Sequence, residues 1–204
     1  ACGGRRPGRC GGWNADRFEF ERAAADPEPE VRAQALRVTA DRLRGGAFSP
    51  AFLAGLSRFL ADPAPRVRYF AAQAIGKLKR AEDTPALLAA LRANRDEDAV
   101  LRHALVMGLV GAGDRAALAA AAADASPAAR LAAVLALRRL RSPDLARFLN
   151  DTDPAIAREA AIAINPSHSA WHAQRGQILD QLERHEEAIE AYTAALRLEP
   201  GDPE

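Results

Sequence analysis

The stretch DPAPRVRYFAAQAIGKL, Asp62–Leu78, sets the period on which the rest of the chain is built. An aspartate flanked by prolines closes one helix and starts the next, because its carboxylate accepts free backbone N–H groups and proline fits the first helical turn. Val67, Phe70, Ala71, Ala74, Ile75 and Leu78 then follow at helical spacing and define one buried stripe. Asp62 stands six residues before Arg68, with the apolar Val67 directly ahead of the arginine.

The same arrangement recurs in DPEPEVR (Asp26–Arg32), DEDAVLR (Asp96–Arg102) and DASPAAR (Asp124–Arg130). A looser copy, DTDPAIAR (Asp151–Arg158), keeps Ile156 in the apolar slot but has Ala157 where the arginine is expected. Successive aspartates lie 36, 34, 28 and 27 residues apart. Shorter amphipathic stretches precede them: Ser49-Pro50 opens one carrying Phe52, Leu53, Leu56 and Leu60; Thr84-Pro85 opens Leu87, Leu88 and Leu91; Ser142-Pro143 opens Leu145, Phe148 and Leu149. A helix–turn–helix unit of about 30 residues cannot bury both helices alone, so the pattern predicts an all-α fold, a right-handed or gently curved α-solenoid of stacked units. Alanine, about a quarter of the residues, lets such helices approach closely, while aromatics supply only 5%. Asp26, Arg32, Asp62, Arg68, Asp96, Arg102, Asp124 and Arg130 are expected to form a ladder, each arginine reaching an aspartate of its own or the next repeat. Partly exposed pairs contribute only about 0–1 kcal/mol each, so the ladder is read as setting register.

On these residues the chain resembles HEAT repeats, whose hallmark is an aspartate, an apolar residue five later and an arginine six later. The resemblance covers residues 16–165 as five repeats. APRVRYFAAQAIGKL, DEDAVLRHALVMGLVGAGD and ARLAAVLALRRLRSPDLARFLNDTDPAIAREAAIAIN further resemble the HEAT segment of large bacterial dehydrogenases, which join it to a β-propeller and a c-type haem module. Neither a propeller nor a CxxCH is present in this sequence, so that resemblance implies only a spacer or docking segment and no catalytic residue. After Asn165 the pattern changes. Ser169–Asp202 resembles one tetratricopeptide repeat, with Gly176, Ala188, Tyr192, Ala195 and Pro200 at the small, aromatic and terminating positions; Trp171 and His185 depart from it. Residues 166–204 are read as a linker, Asn165–His168 at its junction, and this single hairpin, which either caps the array through Trp171, Ile178 and Leu182 or begins a longer one. Residues 1–15 are Gly/Arg-rich and expected to be disordered. The chain does not begin with Met and carries no secretory signal, so it is read as a fragment or a processed product.

Chemistry is sparse. Cys2 and Cys10 fit no redox, zinc or haem spacing. His168 and His172 are four apart but lack further ligands, and His103 stands alone beside Arg102. Asp151 and Asp153 read as helix caps before Pro154, and GAGD (Gly111–Asp114) as a turn between helices. The expectation is no catalytic set, no metal, no cofactor and a non-enzymatic chain. No apolar run is long enough to span a bilayer.

Surface function is read from the second helices. Taking Val31, Val67, Leu101, Ala129 and Ile156 as equivalent buried positions, the residues two and six later are expected on an inner face; Tyr69, His103, Met107, Leu131, Leu135 and Ile162 there are apolar, aromatic or histidine. This implies a groove for a protein segment or a neighbouring domain, unless adjacent helices cover it. With 28 basic and 27 acidic residues, and arginines matched to aspartates, a nucleic-acid partner is disfavoured; Arg138, Arg139 and Arg141 are the best local basic cluster. The first functional reading is an interaction or interdomain scaffold, cytoplasmic by default; the alternative, an accessory segment of a propeller-type, haem-containing dehydrogenase, implies a periplasmic one.

Overall fold

The computed structural model describes residues 21–41, 48–164, 169–181 and 183–198. Among them every regular element is helical and no strand occurs. The elements are α1 (Pro29–Asp41), α2 (Pro50–Ala54), α3 (Pro65–Lys77), α4 (Thr84–Asn94), α5 (Ala99–Ala112), α6 (Arg115–Ala120), α7 (Pro127–Arg139), α8 (Pro154–Ile164), α9 (Ser169–Gln181) and α10 (His185–Leu198). Short 3₁₀ turns cover Leu56–Ala61, Ala81–Asp83, Ala121–Ala123 and Pro143–Phe148. The stretches expected to open as full helices at Ser49 and Ser142 are thus partly or wholly 3₁₀. Residues 1–15, the linker at 165–168, Cys2, Cys10, His168, Leu182 and Pro200, and the side chains of Trp171 and Ile178, lie outside the described residues.

Local chemistry sets these boundaries. Ser49 Oγ accepts from Phe52 N–H at the head of α2, Asp114 from Ala117 N–H at the head of α6, and Asp98 from both Val100 and Leu101 N–H at the head of α5. Thr84, expected to cap α4, is fully buried, and its hydroxyl has no hydrogen-bond partner among the described residues. Proline stands at the first position of α1, α3, α7 and α8, three residues after Asp26, Asp62, Asp124 and Asp151. In each turn the aspartate accepts from the N–H two residues on: Glu28, Ala64, Ser126 and Asp153. Asp151 and Asp153 are therefore turn and cap residues, Asp153 accepting from Ala155 N–H.

The described residues group into two compact units. The first runs to Ala90 and includes His103–Ala112; the second is Leu91–Arg102 and everything from Gly113. In the first, α1 packs on α3, and α3 on the Leu56–Ala61 turn, burying Leu36, Leu56, Val67 and Ile75. Val31, taken as the buried counterpart of Val67, is instead 39% exposed, while Ala33, counted to the inner face, is fully buried. Glycines bring α3 and α5 together: a Cβ on Gly111 would lie 2.3 Å from Gly76 O, and one on Gly108 would lie 2.8 Å from Ala72 O. Gly111, expected in a turn, is inside α5, and the left-handed turn residue is Gly113.

In the second unit, α8 packs against α7, the Pro143–Phe148 turn and α9, and α9 pairs with α10. Phe148, Leu137, Ile156 and Ile162 are fully buried there. The α9–α10 hairpin has its own small core of Leu179, Ala188 and Ala191 with Tyr192 against it. Gly176 makes this approach possible, since a Cβ at that position would lie 2.7 Å from the Tyr192 ring. Leu149, expected in the apolar stripe of its turn, is 42% exposed.

Candidate partner-binding groove

Two of the four ladder arginines, Arg32 and Arg130, are anchored by a fork that divides their donors. Arg32 Nη1 donates to the carbonyls of Asp26 and Pro27 in its own turn, both at 2.9 Å. Its Nε and Nη2 donate to the two carboxylate oxygens of Asp62, the next repeat's aspartate, at 2.9 and 3.0 Å. Arg130 repeats this, with Nη1 on the carbonyls of Asp124 and Ala125 and Nε and Nη2 on Asp151 at 2.8 and 3.0 Å. The six-residue spacing is the distance at which a helical arginine reaches back to the carbonyl of the aspartate that opens its turn. A planar five-donor guanidinium can hold both partners, which a lysine cannot. Arg68 makes the carbonyl half of the fork, to Asp62 and Pro63.

These pairs are more buried than a surface ladder. The Arg130 and Asp151 side chains are only 9% and 2% exposed. Burial pushes the Asp62 carboxyl up, but the Arg32 hydrogen bonds, the Ala64 N–H and the charges of Arg32 and Arg68 outweigh it and hold it below the usual carboxylate range. The hydrogen bond from Arg92 does the same for Asp124. In the third repeat the fork is altered. Arg102 Nη1 donates to the Asp96 carboxylate of its own turn at 2.6 Å, and Asp124 is held by Arg92. Arg95 and Asp96 there adopt left-handed backbone, φ 46° and 66°.

Within the second unit, the Arg130–Asp151 clamp ties α7 to the turn before α8. Glu159 on α8, 13% exposed, lies between two guanidiniums: Arg175 Nε of α9 at 2.6 Å and Arg138 Nη1 of α7 at 3.7 Å. Arg184 forks onto Glu187 at the head of α10. Together these elements leave an open groove of about 430 Å³, in the size range of ligand-binding clefts. Its apolar floor includes Leu131 and Leu135 of α7, Ile156 of α8 and Leu179 of α9.

Of the six residues expected on an inner face, Leu131 and Leu135 line this groove. Ile162 is corrected to the core: it is 1% exposed, because α8 is covered by α7, the 3₁₀ turn and α9. Tyr69, His103 and Met107 belong to the first unit, where Tyr69 is half-buried edge-on against Phe70 and His103 and Met107 are exposed. The spacing argument missed Glu159, Arg175 and Leu179. The signal was present, since Arg175 and Leu179 are four apart and share one face of α9. Among the described residues no group of three or more His, Cys, Asp or Glu could hold a metal ion, and no helix is long and apolar enough to cross a membrane.

Comparison with known families gives two matches: residues 20–110 to HEAT repeats, and residues 169–202 to the tetratricopeptide repeat. The chain combines HEAT repeats with a tetratricopeptide repeat. Both are helical-hairpin repeats of the all-α solenoid class, typically non-catalytic, and they suggest a protein-interaction scaffold. No curated protein matches the chain. The groove therefore draws one wall from the tetratricopeptide hairpin and the other from α7 and α8, which lie C-terminal to the matched HEAT residues.

Proposed function

We propose that this chain is a non-catalytic interaction scaffold whose partner, a protein or a neighbouring domain, seats in the groove of the second unit. The carrying observation is that Leu131 and Leu135 are left partly open at its floor while their neighbours on α7, Ala132, Ala133, Val134, Ala136 and Leu137, are buried. An accessible apolar floor with charged side chains around it matches the anatomy of a protein-binding surface. The reading extends the HEAT array to residue 165 as five repeats, supported by the Arg130–Asp151 clamp, which repeats the Arg32–Asp62 fork. Tyr69, His103 and Met107 are proposed as a second contact surface, belonging to the first unit.

The test places a photo-crosslinking residue at position 135 and, separately, at the exposed Arg147 in cells. Position 135 is expected to yield discrete protein adducts that Leu131→Glu abolishes, with circular dichroism unchanged. Equal labelling from both positions would show that the groove selects no partner, and loss of helicity in Leu131→Glu would show that its floor is core rather than contact surface.

A further inference from the structure

The charges around the groove are unequal. Six arginines and four carboxylates line it, in a chain whose net charge is only +1. Arg102 and Arg184 pair with Asp96 and Glu187, and Arg95 with Glu97, whereas Glu159 serves both Arg138 and Arg175. One carboxylate cannot satisfy the donors of two guanidiniums, each of which has five N–H groups. Arg138 and Arg175 are 46% and 32% exposed, so their remaining donors face solvent while Glu159, itself 13% exposed, holds Arg175 at 2.6 Å and draws Arg138 to 3.7 Å. An incoming carboxylate would meet two guanidiniums already positioned, and the ordering entropy of those long side chains is partly met before binding.

Beside this pair lies the apolar floor of Leu131, Leu135 and Leu179. Resting on the reading of the groove as a binding surface, we infer that its occupant is an acidic segment of a partner protein, carrying an aliphatic side chain onto the leucine floor and a carboxylate between Arg138 and Arg175. Nucleic acid shares the negative charge but fits less well. A phosphate backbone carries a charge at every nucleotide and meets the four lining carboxylates along its length, whereas one carboxylate seats between Arg138 and Arg175. The floor also offers aliphatic side chains rather than aromatic stacking platforms.

The experiment selects from an unbiased random peptide library on the full chain, with the Leu135→Glu chain as counter-selection. Selected peptides are then measured by fluorescence anisotropy beside a mixed-sequence single-stranded oligonucleotide. The expected result is enrichment of Asp or Glu near Leu, Ile or Val. Arg175→Gln should weaken binding roughly tenfold, the loss of one charge-assisted hydrogen bond. Affinity should fall as salt rises. Arg147→Gln, away from the groove, should change nothing, and circular dichroism should show every variant folded. Peptides that depend on Leu135 but are neutral or basic, or that ignore Arg175, would overturn the acidic assignment and leave the groove reading intact. Absence of any Leu135-dependent peptide would overturn both. Oligonucleotide binding with the same Arg138 and Arg175 dependence would replace the peptide by nucleic acid.

Discussion

Counted from their opening prolines, α3 and α7 are equivalent helices, and they use the same slot in opposite ways. Eleven residues after Pro65 stands Gly76, against which α5 closes through Gly108 and Gly111. Eleven residues after Pro127 stands Arg138, which lines the open groove. Tyr69 and Gln73 of α3 correspond in turn to Leu131 and Leu135 of α7. One repeat grammar thus gives a sealed crossing in the first unit and a cleft in the second, and the difference lies in the residues at a few positions rather than in the helices.

The largest expected effect breaks the sealed side. In Gly111→Val, the Cβ alone would lie 2.3 Å from Gly76 O, an atom of backbone that no rotamer change can move. The two helices must part, and the loss is expected to reach about 5 kcal/mol, at the exceptional end for one substitution. Gly55→Ala is the control: its Cβ would have no neighbour nearer than 3.4 Å, and the change should be close to neutral. Chemical denaturation of both variants separates a packing constraint from a general intolerance of side chains at glycine.

Next comes the frame of the open side. Arg130→Ala leaves the Asp151 carboxylate, 2% exposed, without its cation and unties α7 from the turn before α8. The expected destabilisation is about 3–5 kcal/mol. Arg102→Ala, whose pair is 23% and 31% exposed, should lose no more than about 1 kcal/mol. Equal losses for the two would show that the ladder sets register alone, as surface pairs would.

How far the sequence revealed this differs between ladder and groove. Aspartate-to-arginine spacing, proline at the helix start and the alanine-rich stripe are local and periodic, so the helical repeats and their aspartate turns were legible. The groove was half legible. Leu131 and Leu135 follow from counting along one helix, but Glu159, Arg175 and Leu179 join them only through packing of α8 on α9. Ile162 failed for the same reason, since a helix covered on several sides has no free face to count. Gly111 was misread because a glycine required for close approach has the same spelling as one required for a turn.

Asp62 sharpens the comparison in the first unit. Its folded pKa lies below the ordinary value, so the stabilisation is fully present above that value, near 3.8, and is lost as pH falls through the folded pKa. Asp62→Asn should reduce stability at pH 7 by about 2 kcal/mol, the order of a charge-assisted hydrogen bond. It should also flatten the stability profile below about pH 4. Urea denaturation of both chains at pH 7 and at pH 3 measures this: the gap between them must narrow at the lower pH. A constant gap would mean that the carboxylate's charge contributes nothing, since the asparagine retains an oxygen to accept from Ala64 N–H.

The smallest expected effect lies at the end of α7. Arg141 has φ 50°, and the bonds Ser142 N–H to Leu137 O and Arg141 N–H to Arg138 O close the helix around it. That position favours glycine, because a Cβ in left-handed backbone meets its own carbonyl. Lys79 ends α3 in the same way, with φ 53° and Arg80 N–H on Ile75 O. Arg141→Gly and Lys79→Gly are therefore each expected to stabilise by about 0.5–1 kcal/mol, the relief of strain reduced by glycine's larger unfolded-state entropy. If the two closures are equivalent, the two gains agree in thermal melts. A gain at Lys79 with a loss at Arg141 would show that the Arg141 side chain contributes to the second unit something its counterpart does not give the first.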